Sequence, residues 1–224
     1  MMFNYINKKD EKGFTLVELA IVLVIIGLIL AGIIKGQELI TNAKIKRTYN
    51  VQKEIAAAIY TYFDRYQYYP GDDRQALAKF TNPATTNGNG NGAIDTGAGP
   101  AVVVTLANFL CTTTGTEQCD MWAELRQSGI LTGSGFTNPT HPYGGAIAVS
   151  YWTYPVVGGG SVAQAANWIH LQNVPYDVCQ IIDQQFDDGV LAGATSTGAG
   201  TGSIRGTLNY MTATTGVYQI GFKL

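Results

Sequence analysis

Residues 13–34 read Gly-Phe-Thr-Leu-Val-Glu-Leu-Ala-Ile-Val-Leu-Val-Ile-Ile-Gly-Leu-Ile-Leu-Ala-Gly-Ile-Ile. From Phe14 onward the run is apolar except for Thr15 and Glu18. It is about 21 residues long, enough to cross a bilayer as a helix rising 1.5 Å per residue. Glu18 lies near its start. A carboxylate at membrane depth costs roughly 2–3 kcal/mol even on mild insertion scales, so Glu18 is a functional candidate by its position alone. A secretory signal peptide has a shorter apolar region of about 7–15 residues, followed by a small-residue cleavage site. This run is longer and continues without such a site. Lys8, Lys9 and Lys12 precede the run, while Lys35, Lys44, Lys46 and Arg47 follow it, so the basic residues do not settle its orientation.

The order charged lead-in, Gly13, Phe14, Thr15-Leu16-Val17-Glu18, apolar run resembles the class III signal of type IV prepilins and type II secretion pseudopilins. The resemblance implies cleavage between Gly13 and Phe14 by an aspartic prepilin peptidase, and N-methylation of the new Phe14 amine. It implies that Glu18 neutralises the N-terminal amine of a neighbouring subunit during filament assembly. It also implies an inner-membrane, single-pass precursor with an extracytoplasmic (periplasmic) head. An assembly platform in that membrane would move the processed subunit into a pilus or pseudopilus beside other pilins or pseudopilins. The physics is compatible: a carboxylate in hydrocarbon needs a cation, and a helix N-terminus favours an anion in its first turn.

The expected organisation is a leader at 1–13, a transmembrane or filament-core helix at 14–34, an amphipathic continuation at 35–67, and a globular head at 68–224. In the continuation, Ile45, Val51, Ile55, Ile59, Tyr62, Phe63 and Tyr66 recur at spacings near three and four and define an inward face. Pro70-Gly71 ends the helix. The stretch Tyr68-Tyr69-Pro70-Gly71-Asp72 resembles a turn found in many prepilin-like proteins. Many pilins carry a proline near the end of the membrane segment; here Lys35-Gly36 occupies that region. The head shows a short helix within 74–80, a helix over 117–128 with Trp122 and Leu125 inward, and a helix from Pro175 to Phe186. Strands are expected at 146–154, 167–171 and 216–224. The fold class is α+β, a long N-terminal helix packed on a globular head with a small antiparallel sheet, as in type IV pilins.

Composition bounds the chemistry. The net charge is −2, and loss of residues 1–13, with three Lys, one Asp and one Glu, makes it −3. Beyond Phe80 the basic residues are Arg126, Arg205 and Lys223 against eight acids, which disfavours nucleic acid as a partner. Three cysteines leave three pairings open: Cys111 with Cys119, which is preferred as the local pair, or either of them with Cys179. Disulfides are permitted outside the cytoplasm.

Asn87-Gly88-Asn89-Gly90-Asn91-Gly92-Ala93-Ile94-Asp95 has the spacing of a calcium loop, making Asn87, Asn89, Asn91 and Asp95 candidate ligands. Asparagine stands at each leading position and Ala98 where the bidentate glutamate belongs, so an Asn-Gly turn cluster is preferred and no other cofactor is expected. No G-x-S-x-G frames a nucleophile, and His141 and His170 read as surface or core residues rather than catalytic ones. The resemblance implies a non-enzymatic filament subunit, a minor pilin or pseudopilin of a type IV pilus or type II secretion filament. The alternative is a surface adhesin or other ligand-binding pilin.

Overall fold

A computed structural model describes residues 13–95, 110–154, 164–187, 202–206 and 217–224. The chain divides into two compact units, one ending at Ala43 and the other comprising Lys44–Leu224. Helix α1, Leu16–Tyr66, supplies residues to both.

In the first unit, every residue from Gly13 to Lys35 is exposed, including the apolar ones. Leu16, Leu23 and Leu28 are among them. The segment is long and apolar enough to cross a membrane.

In the second unit the inward face of α1 is Ile45, Thr48, Val51, Gln52, Ile55, Ala58, Ile59 and Tyr62. Phe63, expected inward, is instead half-exposed and packs its ring 5.0 Å from that of Tyr69. One residue beyond Tyr62 is 100° around the helix, which carries Phe63 off the buried stripe. Gln67 adopts a left-handed backbone (φ 63°) and its N–H returns to the Phe63 carbonyl at 2.7 Å, closing the helix.

The remaining elements are α2 (Ala76–Lys79), α3 (Glu117–Gln127), β1 (Ile147–Tyr154), β2 (Gln164–Pro175), α4 (Tyr176–Phe186), β3 (Ile204–Gly206) and β4 (Val217–Lys223). The four strands form one antiparallel sheet in the order β1-β2-β4-β3. The expected strand at 167–171 extends to Gln164–Pro175, because β1 pairs with its first half and β4 with its second. β3 was not anticipated as a strand. Three residues are too few to show alternation, and pairing with β4 defines it.

Alternation along the strands sends Ile147, Val149, Ile169, Leu171, Ile204, Ile220 and Phe222 into one core with α1 and α4. Each fully buried branched side chain there contributes about 1.5–3 kcal/mol relative to exposure. Tyr49 of α1 stacks on Phe186 of α4 with ring centroids 3.5 Å apart. The opposite face carries Ala148, Ser150, Trp152, Trp168, His170, Gln219 and Arg205, which are buried as well. All three tryptophans are thus interior residues. Residues 1–12, 96–109, 155–163, 188–201 and 207–216, and with them the expected leader up to Lys12, the position of Ala98 and the expected start of the last strand at Gly216, lie outside the described residues.

Candidate functional site

The N-terminal site is built on the first turn of α1. Thr15 precedes the helix, and its N–H and hydroxyl both donate to Glu18 Oε2, at 2.9 and 2.8 Å. The Glu18 N–H donates back to Thr15 Oγ1 at 3.2 Å. This is a reciprocal capping box: the N-cap hydroxyl serves an otherwise orphaned helix N–H, and the glutamate three residues on serves the N-cap N–H. Gly13 and Phe14 lie immediately outside it and are exposed, with Phe14 82% accessible. The bond at which cleavage is expected from the sequence is therefore exposed, and Thr15, the first residue of the cap, follows directly after Phe14. Beyond it runs the exposed apolar helix.

Residues 8–34 match the family model of the prokaryotic N-terminal methylation motif. That motif is the class III signal of type IV pilins and pseudopilins. No curated protein and no solved structure matches the chain. The methylation motif ends at Ile34.

Beyond the methylation motif, α3 organises the head. Trp122 and Leu125 are buried as expected, and the buried residues run from Glu117 to Leu125 without a gap. Met121, Trp122 and Leu125 join the apolar core. Glu117, Asp120 and Glu124 are buried too, and their carboxylates accept N–H groups from three loops. Glu117 takes Asn89 N–H at 3.0 Å and Asp95 N–H at 3.1 Å. Asp120 takes the N–H of Thr86 at 3.2 Å, the Thr86 hydroxyl, and the Thr114 hydroxyl at 2.7 Å. Glu124 takes the Gly71 N–H at 2.7 Å. A carboxylate can serve several backbone donors at once, which satisfies loop N–H groups that burial would otherwise strand.

Burial shifts Glu124 and Glu117. Desolvation pushes Glu124 up to about 8, with the nearby charges of Asp73 and Asp120 adding to it. Desolvation also raises Glu117, to about 6, against its two backbone hydrogen bonds. Asp72 is raised for the same reason. Of the seven acids beyond Phe80 that lie in the described residues, five (Asp95, Glu117, Asp120, Glu124 and Asp183) are buried. The acidity of the head thus points largely inward, which the charge count alone could not reveal.

The candidate calcium loop is held from outside. Asp72, of the Pro-Gly-Asp turn, accepts N–H groups from Gly90 and Asn91 on Oδ1 and from Gly92 on Oδ2. Asn87 Oδ1 accepts the Leu77 N–H at 2.9 Å, Asn89 Oδ1 the Asn91 N–H at 2.9 Å, and Asn91 Oδ1 the Ala93 N–H at 2.8 Å. Asn167 of β2 clamps the far end, accepting from Ile94 N–H and donating to the Gly92 carbonyl, both at 2.9 Å. Among the described residues, no group of three or more His, Cys, Asp or Glu could hold a metal ion. Cys111 and Cys119 are joined in a disulfide, and Cys179 is a buried thiol raised by desolvation.

Ser150, His170 and Gln219 meet on the second sheet face. His170 Nε2 lies 3.0 Å from Ser150 Oγ, and its Nδ1 lies 3.0 Å from Gln219 Nε2. The amide nitrogen can only donate, so Nδ1 accepts and Nε2 carries the proton toward Ser150. That tautomer gives the serine no base, and burial lowers His170 to about 3. His141 is likewise buried: its Nδ1 accepts the Tyr143 N–H at 3.3 Å, so Nε2 donates to the Gln172 carbonyl at 2.6 Å. It ties the 141–145 turn to β2.

Proposed function

We propose that the chain is a structural subunit of a helical envelope filament, a minor pilin or a pseudopilin. In this reading it is cut between Gly13 and Phe14, methylated on Phe14, and incorporated through its N-terminal helix. The observation that carries the reading is Glu18 at the first turn of an exposed apolar helix, inside the methylation motif. Cleavage would place a cationic amine one residue before the cap. In the precursor, Thr15 alone satisfies one Glu18 oxygen. In an assembled fibre the remaining lone pairs would take the amine of a neighbouring Phe14, a charge-assisted bond in a low-dielectric surrounding. The exposed apolar side chains of α1 would then be covered by like helices instead of lipid.

The partners in this reading are a prepilin peptidase, an inner-membrane assembly platform and other pilins or pseudopilins, with the head on the periplasmic side. The test is Glu18→Ala in cells that carry the peptidase and an assembly machine. Processing at Gly13 is retained, and cross-linking of the subunit into filaments is lost. Wild-type incorporation of Glu18→Ala would remove the charge-pairing step from the account.

A further inference from the structure

The Asn-Gly run at 87–92 has a chemistry independent of the N-terminal signal. In an Asn-Gly pair the backbone nitrogen of the glycine can attack the asparagine side-chain Cγ. A Cγ–N bond forms, the Cγ–Nδ2 bond breaks, and ammonia leaves a five-membered succinimide. Water then adds to one of the two imide carbonyls. Opening at Cγ gives aspartate, and opening at the backbone carbonyl gives isoaspartate. The net change is water in and ammonia out, with no oxidant or reductant. Glycine favours the attack because no Cβ obstructs the approach. Three such pairs stand in tandem here, and Asn87, Asn89 and Asn91 are all exposed.

The structure treats the two reacting groups in opposite ways. Asn89 Oδ1 and Asn91 Oδ1 each accept a backbone N–H two residues on, which draws electron density from Cγ. The attacking nitrogens are withheld. Gly90 N–H and Gly92 N–H are given to the two oxygens of Asp72, the latter at 2.7 Å. A carboxylate acceptor holds the N–H strongly and opposes its loss of a proton, because an amide anion would form beside a negative charge. Asp72 is itself 2% exposed, and Asn167 pins the end of the loop, so the glycine peptides cannot rotate toward Cγ without breaking these bonds. The first pair differs: Gly88 N–H is given to the Asp73 backbone carbonyl at 2.9 Å, not to Asp72.

We propose that the Asn87–Gly92 run is a latent modification site, in which the Asp72 carboxylate keeps Asn89 and Asn91 as amides and release of its grip converts them to aspartate or isoaspartate through a succinimide. Each conversion adds one negative charge to the loop. The site therefore marks heads that have opened at the Pro-Gly-Asp turn, including subunits that open before or after assembly.

The test uses the full-length chain in detergent, aged at mildly alkaline pH, with conversion at each asparagine read by peptide mass mapping. Two hydrogen bonds to a charged acceptor should slow Asn89 and Asn91 by about 10- to 100-fold relative to the same chain in urea, and retard deuterium exchange at Gly90 and Gly92 by a similar order. In Asp72→Asn, conversion at Asn89 and Asn91 rises by about tenfold or more, the loss of one charged hydrogen bond each, while Asn87 keeps its native rate. Equal native and urea rates at Asn89 and Asn91 overturn the proposal, as do unchanged rates in a folded Asp72→Asn. If Asp72→Asn speeds Asn87 equally, the variant has lost its fold and exchange in the wild-type chain decides. Protected Gly90 and Gly92 support the proposal, and exchange at the unfolded rate overturns it.

Discussion

Replacing Glu124 with glutamine should make the head less sensitive to alkali. Glu124 is fully buried, and its Oε2 holds the Gly71 N–H at 2.7 Å. The Tyr62 hydroxyl, which donates to Asp73 Oδ2 at 3.0 Å, also faces it. Burial places its folded value at about 8, against 4.5 for the free side chain. The folded state therefore binds the Glu124 proton more tightly than the unfolded state does. Its contribution is fully present below about pH 4.5 and is lost as pH rises through 8. The difference of about 3.5 pH units corresponds to about 5 kcal/mol at the alkaline end, an order-of-magnitude figure.

Glutamine keeps a carbonyl for Gly71 and never ionises. The stability difference between Glu124→Gln and wild type should thus grow by about 1.4 kcal/mol per pH unit above about pH 5, and level off beyond about pH 8. At about 2–4 °C per kcal/mol for a domain of this size, the variant melts on the order of 10 °C higher at pH 9. Thermal melts of the full-length chain in detergent, at half-unit pH steps, measure it. The titrations of Glu117, and of His170 in the unfolded chain, are common to both proteins and cancel from the difference. Parallel melting curves from pH 5 to 9 would refute the reasoning, because Glu124 would then be ionised in the folded head at no cost.

Three further outcomes follow from the geometry. Gly145→Ala places a Cβ 1.6 Å from the Gln172 carbonyl oxygen and 2.5 Å from His141 Nε2, so the 141–145 turn must leave β2. A loss of about 3 kcal/mol or more is expected in chemical denaturation. Replacing Cys111 and Cys119 by alanine together opens the short loop whose Thr114 meets Asp120. The chain-entropy model gives a loss of about 2–3 kcal/mol, read as a lower denaturation midpoint that reducing agent no longer changes. His170, lowered by burial to about 3, stays neutral in the folded head, so its ring resonances should be flat from pH 8 to 5. Because the unfolded chain takes up that proton first, its contribution to stability is present above about pH 6.5 and is lost as pH falls.

The N-terminal half of the account was legible in the sequence because its signals are local. A run of apolar residues with one glutamate reads the same way in any fold, and Thr15-x-x-Glu18 is itself a capping-box pattern. The α+β class and the long helix were legible from periodicity, and the observed Leu16–Tyr66 helix and antiparallel sheet agree with them. The inside of the head was not. Glu117, Asp120 and Glu124 look like the solvent face of a short helix, and nothing local tells that loops from residues 71, 86–95 and 114 lie over them. Asp72 was read as part of a turn, yet its partners are some 20 residues downstream. The pairing of His170 with Ser150 and Gln219 likewise depends on strand register, which sequence periodicity alone does not determine.

The central claim is that the chain is a prepilin-type precursor, and the mass of its N-terminal peptide tests it most directly. The protein is extracted from membranes of cells with and without a prepilin peptidase. The account predicts a chain beginning at methylated Phe14 when the peptidase is present and at Met1 when it is absent. A chain beginning at Met1 in both would contradict it, and would leave a plainly anchored protein in which Glu18 has no amine to meet.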